Sequence, residues 1–193
     1  MTNEILTQFI QNVLPMPTVL AEEIVGYFQE KAFIKNDFLL QEGQVSNEYI
    51  FLIDGFIRAY THDTDGNDIS TNFYSKNQIV LEVSSFFNRT PAQENFQAMT
   101  DCKGLVISYE QVQILFHSIP EFREFGRKVL VQGFTALKQR MLSMINQTAE
   151  QRYANLMLTK PEIIQNAPLK NIATYLGITD TSLSRIRKDF ARK

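Results

Sequence analysis

Between residues 32 and 108 the chain breaks into eight short runs rich in β-branched and aromatic residues. They lie at 32–34, 38–40, 49–53, 56–60, 69–74, 79–83, 96–99 and 105–107. Turn residues separate them: Glu42-Gly43, Asp54-Gly55, the segment from Asp63 to Asn67, and Lys103-Gly104. Strands this short and this regularly punctuated specify an antiparallel sandwich or barrel rather than βαβ units. The Asp63-Thr64-Asp65-Gly66-Asn67 segment resembles the opening of a calcium loop. Such a loop needs a carboxylate at its twelfth position, where this chain has Tyr74, and helices at its flanks, where this chain has strands. It is expected to be a hairpin turn. Ahead of the strands, apolar residues at helical spacing predict two short helices within residues 3–30. One carries Ile5, Phe9, Ile10, Val13 and Leu14, the other Leu20, Ile24, Val25 and Phe28, and Pro15 and Pro17 part them.

Beyond the strands a helical pattern runs from about residue 121 to 146. One stripe is Leu130, Phe134, Leu137, Met141 and Met144; a neighbouring one is Phe122, Gly126, Val129, Gly133 and Ala136, in steps of four and three. Such steps are the geometry of a coiled-coil seam, and glycine inside a helix costs about 1 kcal/mol relative to alanine. Its presence twice in the second stripe asks for close packing. One stripe is expected on the strand domain and the other on a second copy of the chain, with Phe122, Val129, Gly133 and Ala136 as the dimer face. A buried helix within a monomer is the alternative. A further helix over 149–158 opens at Thr148 or Glu150, and a turn follows around Lys160-Pro161.

Residues 168–193 read PLKNIATYLGITDTSLSRIRKDFARK. Two short helical patterns meet at Gly177, which sits where a helix end must turn with positive φ. This is the spacing of a helix-turn-helix, against the alternative of an ordinary corner between two helices. The second helix should begin at Thr179 or Asp180, with Thr179 as its cap and Leu183, Ile186 and Phe190 facing inward. N-terminal residues of such a helix reach base edges, which assigns Thr181, Ser184 and Arg185 as readers. Arg185 can pair bidentately with guanine O6 and N7. Thr179, Arg187, Lys188, Arg192 and Lys193 are assigned to phosphate.

The net charge of −2 argues against nucleic acid only when taken whole. Residues 1–125 hold 7 Lys+Arg against 17 Asp+Glu, whereas residues 126–193 hold 12 against 4. A basic end on an acidic module is an electrostatic footprint for nucleic acid. No apolar run approaches the roughly 18 residues of a membrane span, and the N-terminus lacks a secretory pattern. Cys102 is the only cysteine, which excludes an internal disulfide or a four-cysteine cluster within one chain. A cytoplasmic location is expected.

The order of strand domain, long helix and basic helix-turn-helix resembles the Crp/Fnr superfamily, that of the cyclic-AMP receptor protein and the fumarate–nitrate reduction regulator. The residues that carry the resemblance are Asp37, Glu42-Gly43, Phe51 to Gly55, Asp65-Gly66, Glu82, Ile107-Ser108 and the closing ATYLGITDTSLSRIRK. It implies an α+β chain: an N-terminal double-stranded β-roll with flanking helices (1–118), a long dimerisation helix (119–146) and a C-terminal helix-turn-helix domain (147–193). It also implies a homodimeric transcription regulator that senses a small effector. Its partners would be double-stranded DNA with a palindromic operator, a second copy of itself and RNA polymerase, with no membrane. Where the cyclic-AMP receptor family commonly has Glu at the second reading position, this chain has Thr181.

In the cyclic-nucleotide-binding members a Gly-Glu pair takes the ribose, and an Arg followed by Ser or Thr takes the phosphate some ten residues later. This chain keeps Glu82 but has Leu81, Ala92 and Gln93 at the other positions. An anionic phosphate buried without a cation is strongly disfavoured, so cyclic AMP is not expected. The resemblance places the effector pocket at Glu82, Val83, Ser84, Arg89, Ala92, Gln93 and Leu137, with Arg89 as a substitute cation if the loop rearranges. No cofactor or metal is implied, and the effector is unidentified. His62 and His117 are too far apart in sequence to form a His-x-His metal pair. Two rival readings are a cyclic-nucleotide-binding module acting through protein contacts and, less favoured, a cupin-like metal enzyme. The basic helix-turn-helix argues against both, and the chain is not expected to be an enzyme.

Overall fold

The computed structural model describes residues 2–191, so Arg192 and Lys193, assigned above to phosphate, lie outside the described residues. Helices α1 (Thr2–Val13) and α2 (Thr18–Val25) open the chain, followed by strands β1 (Gln29–Phe33), β2 (Phe38–Leu40), β3 (Glu48–Asp54), β4 (Ile57–His62), β5 (Asp68–Tyr74) and β6 (Gln78–Val80). Helix α3 (Val83–Asn88) precedes β7 (Asn95–Ala98) and β8 (Cys102–Ser108). All eight expected strands form. The run at 79–83 ends early, because the carboxylate of Glu82 accepts from the Ser85 N–H and caps α3 instead of extending the strand.

The strands make two antiparallel sheets, ordered β1-β8-β3-β6 and β2-β7-β4-β5. Alternation of side chains across them creates three apolar layers. Ile50, Leu52, Ile57, Ala59, Phe96 and Ala98 fill the space between the sheets. Tyr49, Phe51, Leu105 and Ile107, on the other side of β3 and β8, pack against Leu6, Ile10, Ile24 and the helices that follow. β3 is therefore buried on both faces, which explains its unbroken apolar run. The Asp63 carboxylate accepts from the N–H groups of Asp65 and Asn67 at 2.9 and 2.8 Å, closing the β4–β5 hairpin as expected.

Four helices carry the chain onward: α4 (Tyr109–Ser118), α5 (Pro120–Asn146), α6 (Ala149–Thr159) and α7 (Pro161–Asn166). Reciprocal capping boxes, Ser108 with Gln111 and Thr148 with Gln151, start α4 and α6. Pro161 occupies the first turn of α7, a helix where the sequence suggests only a turn.

The long helix α5 divides along its length and not, as expected, between two faces. Its first turns belong to the core: Phe122, Phe125 and Gly126 are buried, and a Cβ on Gly126 would stand 2.7 Å from the Phe116 ring. This removes Phe122 from the dimer face, since its ring is 5.9 Å from Phe125 and 5.2 Å from Phe116 inside its own chain. Val129 is half-buried against the same core. Beyond it the middle of the helix leaves Phe134 67% and Leu137 62% exposed, with Gly133 and Ala136 beside them.

The chain ends in α8 (Leu169–Tyr175) and α9 (Asp180–Phe190). With α6 and α7 they enclose a third core, which includes Phe56 and Phe73 from the outer face of β4 and β5. Phe73 stacks on Phe56 at 5.4 Å and meets Tyr175 edge-on at 5.3 Å. Truncating a buried phenylalanine typically costs about 3–5 kcal/mol. Phe73→Ala should lower the thermal midpoint accordingly, and hydrogen exchange should rise more across α8 than across β3.

Candidate functional site

Helix α8 ends in a Schellman turn. The Ile178 N–H donates to the Ala173 carbonyl and the Gly177 N–H to the Thr174 carbonyl, both at 3.0 Å, with Gly177 at φ +67°. A side chain at Gly177 would also meet the Met144 methyl at 2.3 Å, so the turn is held against the end of α5. Arg152 on α6 donates to the Leu176 carbonyl through Nε and Nη2, at 3.1 and 3.0 Å, satisfying an acceptor the helix end leaves open.

The turn delivers α9 in the predicted orientation. Thr179 caps it, its Oγ1 accepting from the Ser182 N–H at 3.3 Å. Leu183 and Ile186 are buried, and Phe190 packs edge-on against Tyr153 at 5.5 Å. Thr181, Ser184 and Arg185 stand exposed on one side with Arg187 and Lys188 alongside. Among the described residues none of the three cations forms a salt bridge. The structure thus brings together the sequence-assigned readers, apart from the two terminal residues it does not describe.

The sensor residues are placed differently. Arg89 adopts φ +58° at the end of α3 and lines neither cavity beside Glu82. It donates to the Ser46 carbonyl at 2.6 Å and to Asn47 Oδ1, and its guanidinium stacks 4.1 Å from the Tyr109 ring centre. A cation so engaged pins the 46–47 loop and is not a substitute phosphate ligand. Ala92 is buried in the inter-sheet core, exchanging backbone hydrogen bonds with the 43–44 loop, and Gln93 accepts from Thr61 at 3.0 Å. Ser84, Arg89, Ala92 and Gln93 line neither of the two cavities beside Glu82, a correction to the expected pocket.

The smaller cavity, about 250 Å³, lies over β2, β3 and the 44–47 loop. The larger, about 690 Å³, lies between the β-roll, α5 and the C-terminal domain, and it includes Glu82, Val83 and Leu137. Its far wall holds residues the sequence reading missed: Arg140, Lys160 and Tyr175. Arg140 could have been found, because it is the next step of four in the stripe ending at Ala136. Its Nη1 donates to the Thr71 carbonyl at 2.8 Å and its Nη2 to the Tyr175 carbonyl at 3.0 Å. Thr174 Oγ1 adds a hydrogen bond to Ser70 Oγ at 3.1 Å. Three elements, β5, α5 and α8, therefore meet at Arg140.

His62 lies between Glu42 and Asp68, at 3.2 and 3.4 Å, and His117 bonds the Gln113 carbonyl at 2.7 Å on α4. No group of three or more His, Cys, Asp or Glu suited to a metal occurs among the described residues.

The turn geometry generates a test. An L side chain in left-handed backbone costs about 1–2 kcal/mol, and the exposed Met144 methyl can swing aside. Gly177→Ala should destabilise the chain by about that much in thermal unfolding.

Residues 30–118 match the family model of the cyclic nucleotide-binding domain. Comparison with curated protein sequences gave no match. Among solved structures the chain is similar to FixK2 from Bradyrhizobium japonicum, at 16% identity and a TM-score of 0.71, covering 86% of this chain and 85% of that one. It is also similar to the c-di-GMP responsive global regulator CLP of Xanthomonas campestris, at 14% identity and 0.70, covering 91% and 92%. The catabolite activator protein of Thermus thermophilus aligns at 15% identity and 0.59, covering 95% and 87%. Residues 30–118 thus match the cyclic nucleotide-binding domain, and the chain as a whole shares its fold with these solved structures.

Proposed function

We propose that the protein is a sequence-specific DNA-binding transcription regulator that works as a homodimer. The observation that carries this reading is the face of α9, where exposed Thr181, Ser184 and Arg185 sit beside the unpaired cations Arg187 and Lys188. Direct readout needs exposed donors at a helix N-terminus, and affinity needs phosphate-directed cations beside them. Both are present on the basic third of an otherwise acidic chain. The bare stretch of α5 supports the second copy: Leu130, Val131, Phe134, Leu137 and Met141 are exposed at helical spacing. A two-fold pair would present its α9 helices to half-sites about 34–36 Å apart on a palindromic operator. The β-roll then acts as the input, and the reading is regulatory rather than catalytic. No helix among the described residues is long and apolar enough to cross a membrane.

Selection of bound fragments from genomic DNA, followed by gel shift, tests the central reading; failure to retain any fragment above random DNA would reject it. On a selected site, Arg185→Ala should cost about 1–3 kcal/mol and relax preference at one base pair. Arg187→Ala should instead weaken specific and random DNA alike and reduce the salt slope by about one. Sedimentation tests the pairing: the native chain should run as a dimer and Phe134→Glu with Leu137→Glu as a single chain. A native chain that sediments as a monomer rules the pairing out.

A further inference from the structure

The larger cavity has two chemically distinct ends. One is lined by the apolar side chains of Phe116, Phe122, Phe125, Val129 and Phe134. The other is formed by Arg140, Lys160 and Tyr175, with Glu94 opposite. The Arg140 guanidinium lies 4.3 Å from the Tyr175 ring centre, and the Lys160 ammonium lies 5.9 Å from it and 3.4 Å from its hydroxyl. Two cations share one ring, and among the described residues neither forms a salt bridge.

Neither carboxylate in the wall forms an ion pair with these cations. Glu82 is engaged in capping α3. Burial lifts the Glu94 carboxyl above its ordinary value, and its neighbour Glu82 adds to the shift, against the pull of Arg140. For a half-buried cation with no carboxylate in ion-pair contact, a charge-assisted pair with an incoming acid is the strongest contact open to it. The volume falls in the range of about 300–1,000 Å³ typical of small-molecule sites.

We propose that this cavity is the effector site and that its ligand is an apolar carboxylic acid. Its carboxylate sits between Arg140 and Lys160, and its aromatic or aliphatic body lies against Phe116, Phe122 and Phe125. The inference rests on the sensor role assigned to the β-roll above and names the ligand class of that sensor. The site also supplies a route to the output. The carboxylate competes with the carbonyls of Thr71 and Tyr175 for Arg140, and those two bonds tie α5 to β5 and to the helix that seats α9.

Calorimetric titration of the full chain with 2-naphthoate and decanoate, and with 2-naphthalenemethanol and decanol as neutral counterparts, tests the proposal. At least one acid should bind with one site per chain and more tightly than its alcohol. Lys160→Met, shown folded by circular dichroism, should weaken the acid about tenfold or more and leave the alcohol unchanged. The proposal is overturned if neither acid binds, if acids and alcohols bind equally, if Lys160→Met leaves the acid unaffected, or if cyclic AMP binds more tightly than both acids. Gel shift of the native chain without any acid reads the DNA-binding proposal separately, so failure of one is not mistaken for failure of the other.

Discussion

The aromatic contact of Phe73 with Phe56 and Tyr175 joins the two ends of this chain, and the remaining geometry follows from it. Edge-on and offset aromatic pairs contribute about 0.5–1.5 kcal/mol each beyond their burial. The pair with Tyr175 seats α8 on the outer face of β5, and the stack on Phe56 fixes the Phe73 ring. Around them polar groups of the β-roll and α5 find partners on the C-terminal helices: Thr174 for Ser70 and the Tyr175 carbonyl for Arg140 on α8, and Glu162 on α7 for Ser75 at 3.2 Å. Arg58 lies nearby, bonded to Ser70 and Asp68 and stacked 4.4 Å from Tyr60. A buried guanidinium is costly when unpaired, which makes this region intolerant of partial docking. The orientation of α9 is thus inherited from the β-roll through packing and not through the α8–α9 turn alone.

Local chemistry made most of the fold legible. The eight strands were readable because their turns are written in Gly, Asp and Asn, and because β3 is apolar on both sides. The helix-turn-helix was readable because its turn needs Gly177, and its reading face is a matter of spacing along a single helix. Where the sequence reading failed, the deciding partner lay far away in the chain. Periodicity shows that α5 carries two apolar stripes, yet it cannot say that Phe122 finds Phe116 while Phe134 finds nothing. Arg89 was a candidate ligand by its position, and what occupies it is Ser46, Asn47 and Tyr109, none of which spacing reveals. The helix α3 depends on one side-chain cap at Glu82, a residue the alignment with cyclic-nucleotide members had given a different duty.

The input and output ends differ in how they use charge. On α9 the cations project into solvent, where long-range attraction to a polyanion governs encounter and added salt weakens it. In the cavity Arg140 and Lys160 are half-buried against an aromatic ring, where a single counter-charge has a larger local effect. Under the two proposals above, the same residue types would serve attraction over distance in one place and discrimination at contact in the other.

The exposed middle of α5 has a consequence at the level of the cell. A helix that leaves Phe134 and Leu137 in water is stabilised only by what covers it, and coverage by a second copy follows mass action. The population of assembled protein would then rise more steeply than the amount synthesised and fall more steeply as cells grow and dilute it. Abundance itself becomes an input to such a molecule, alongside any ligand it binds.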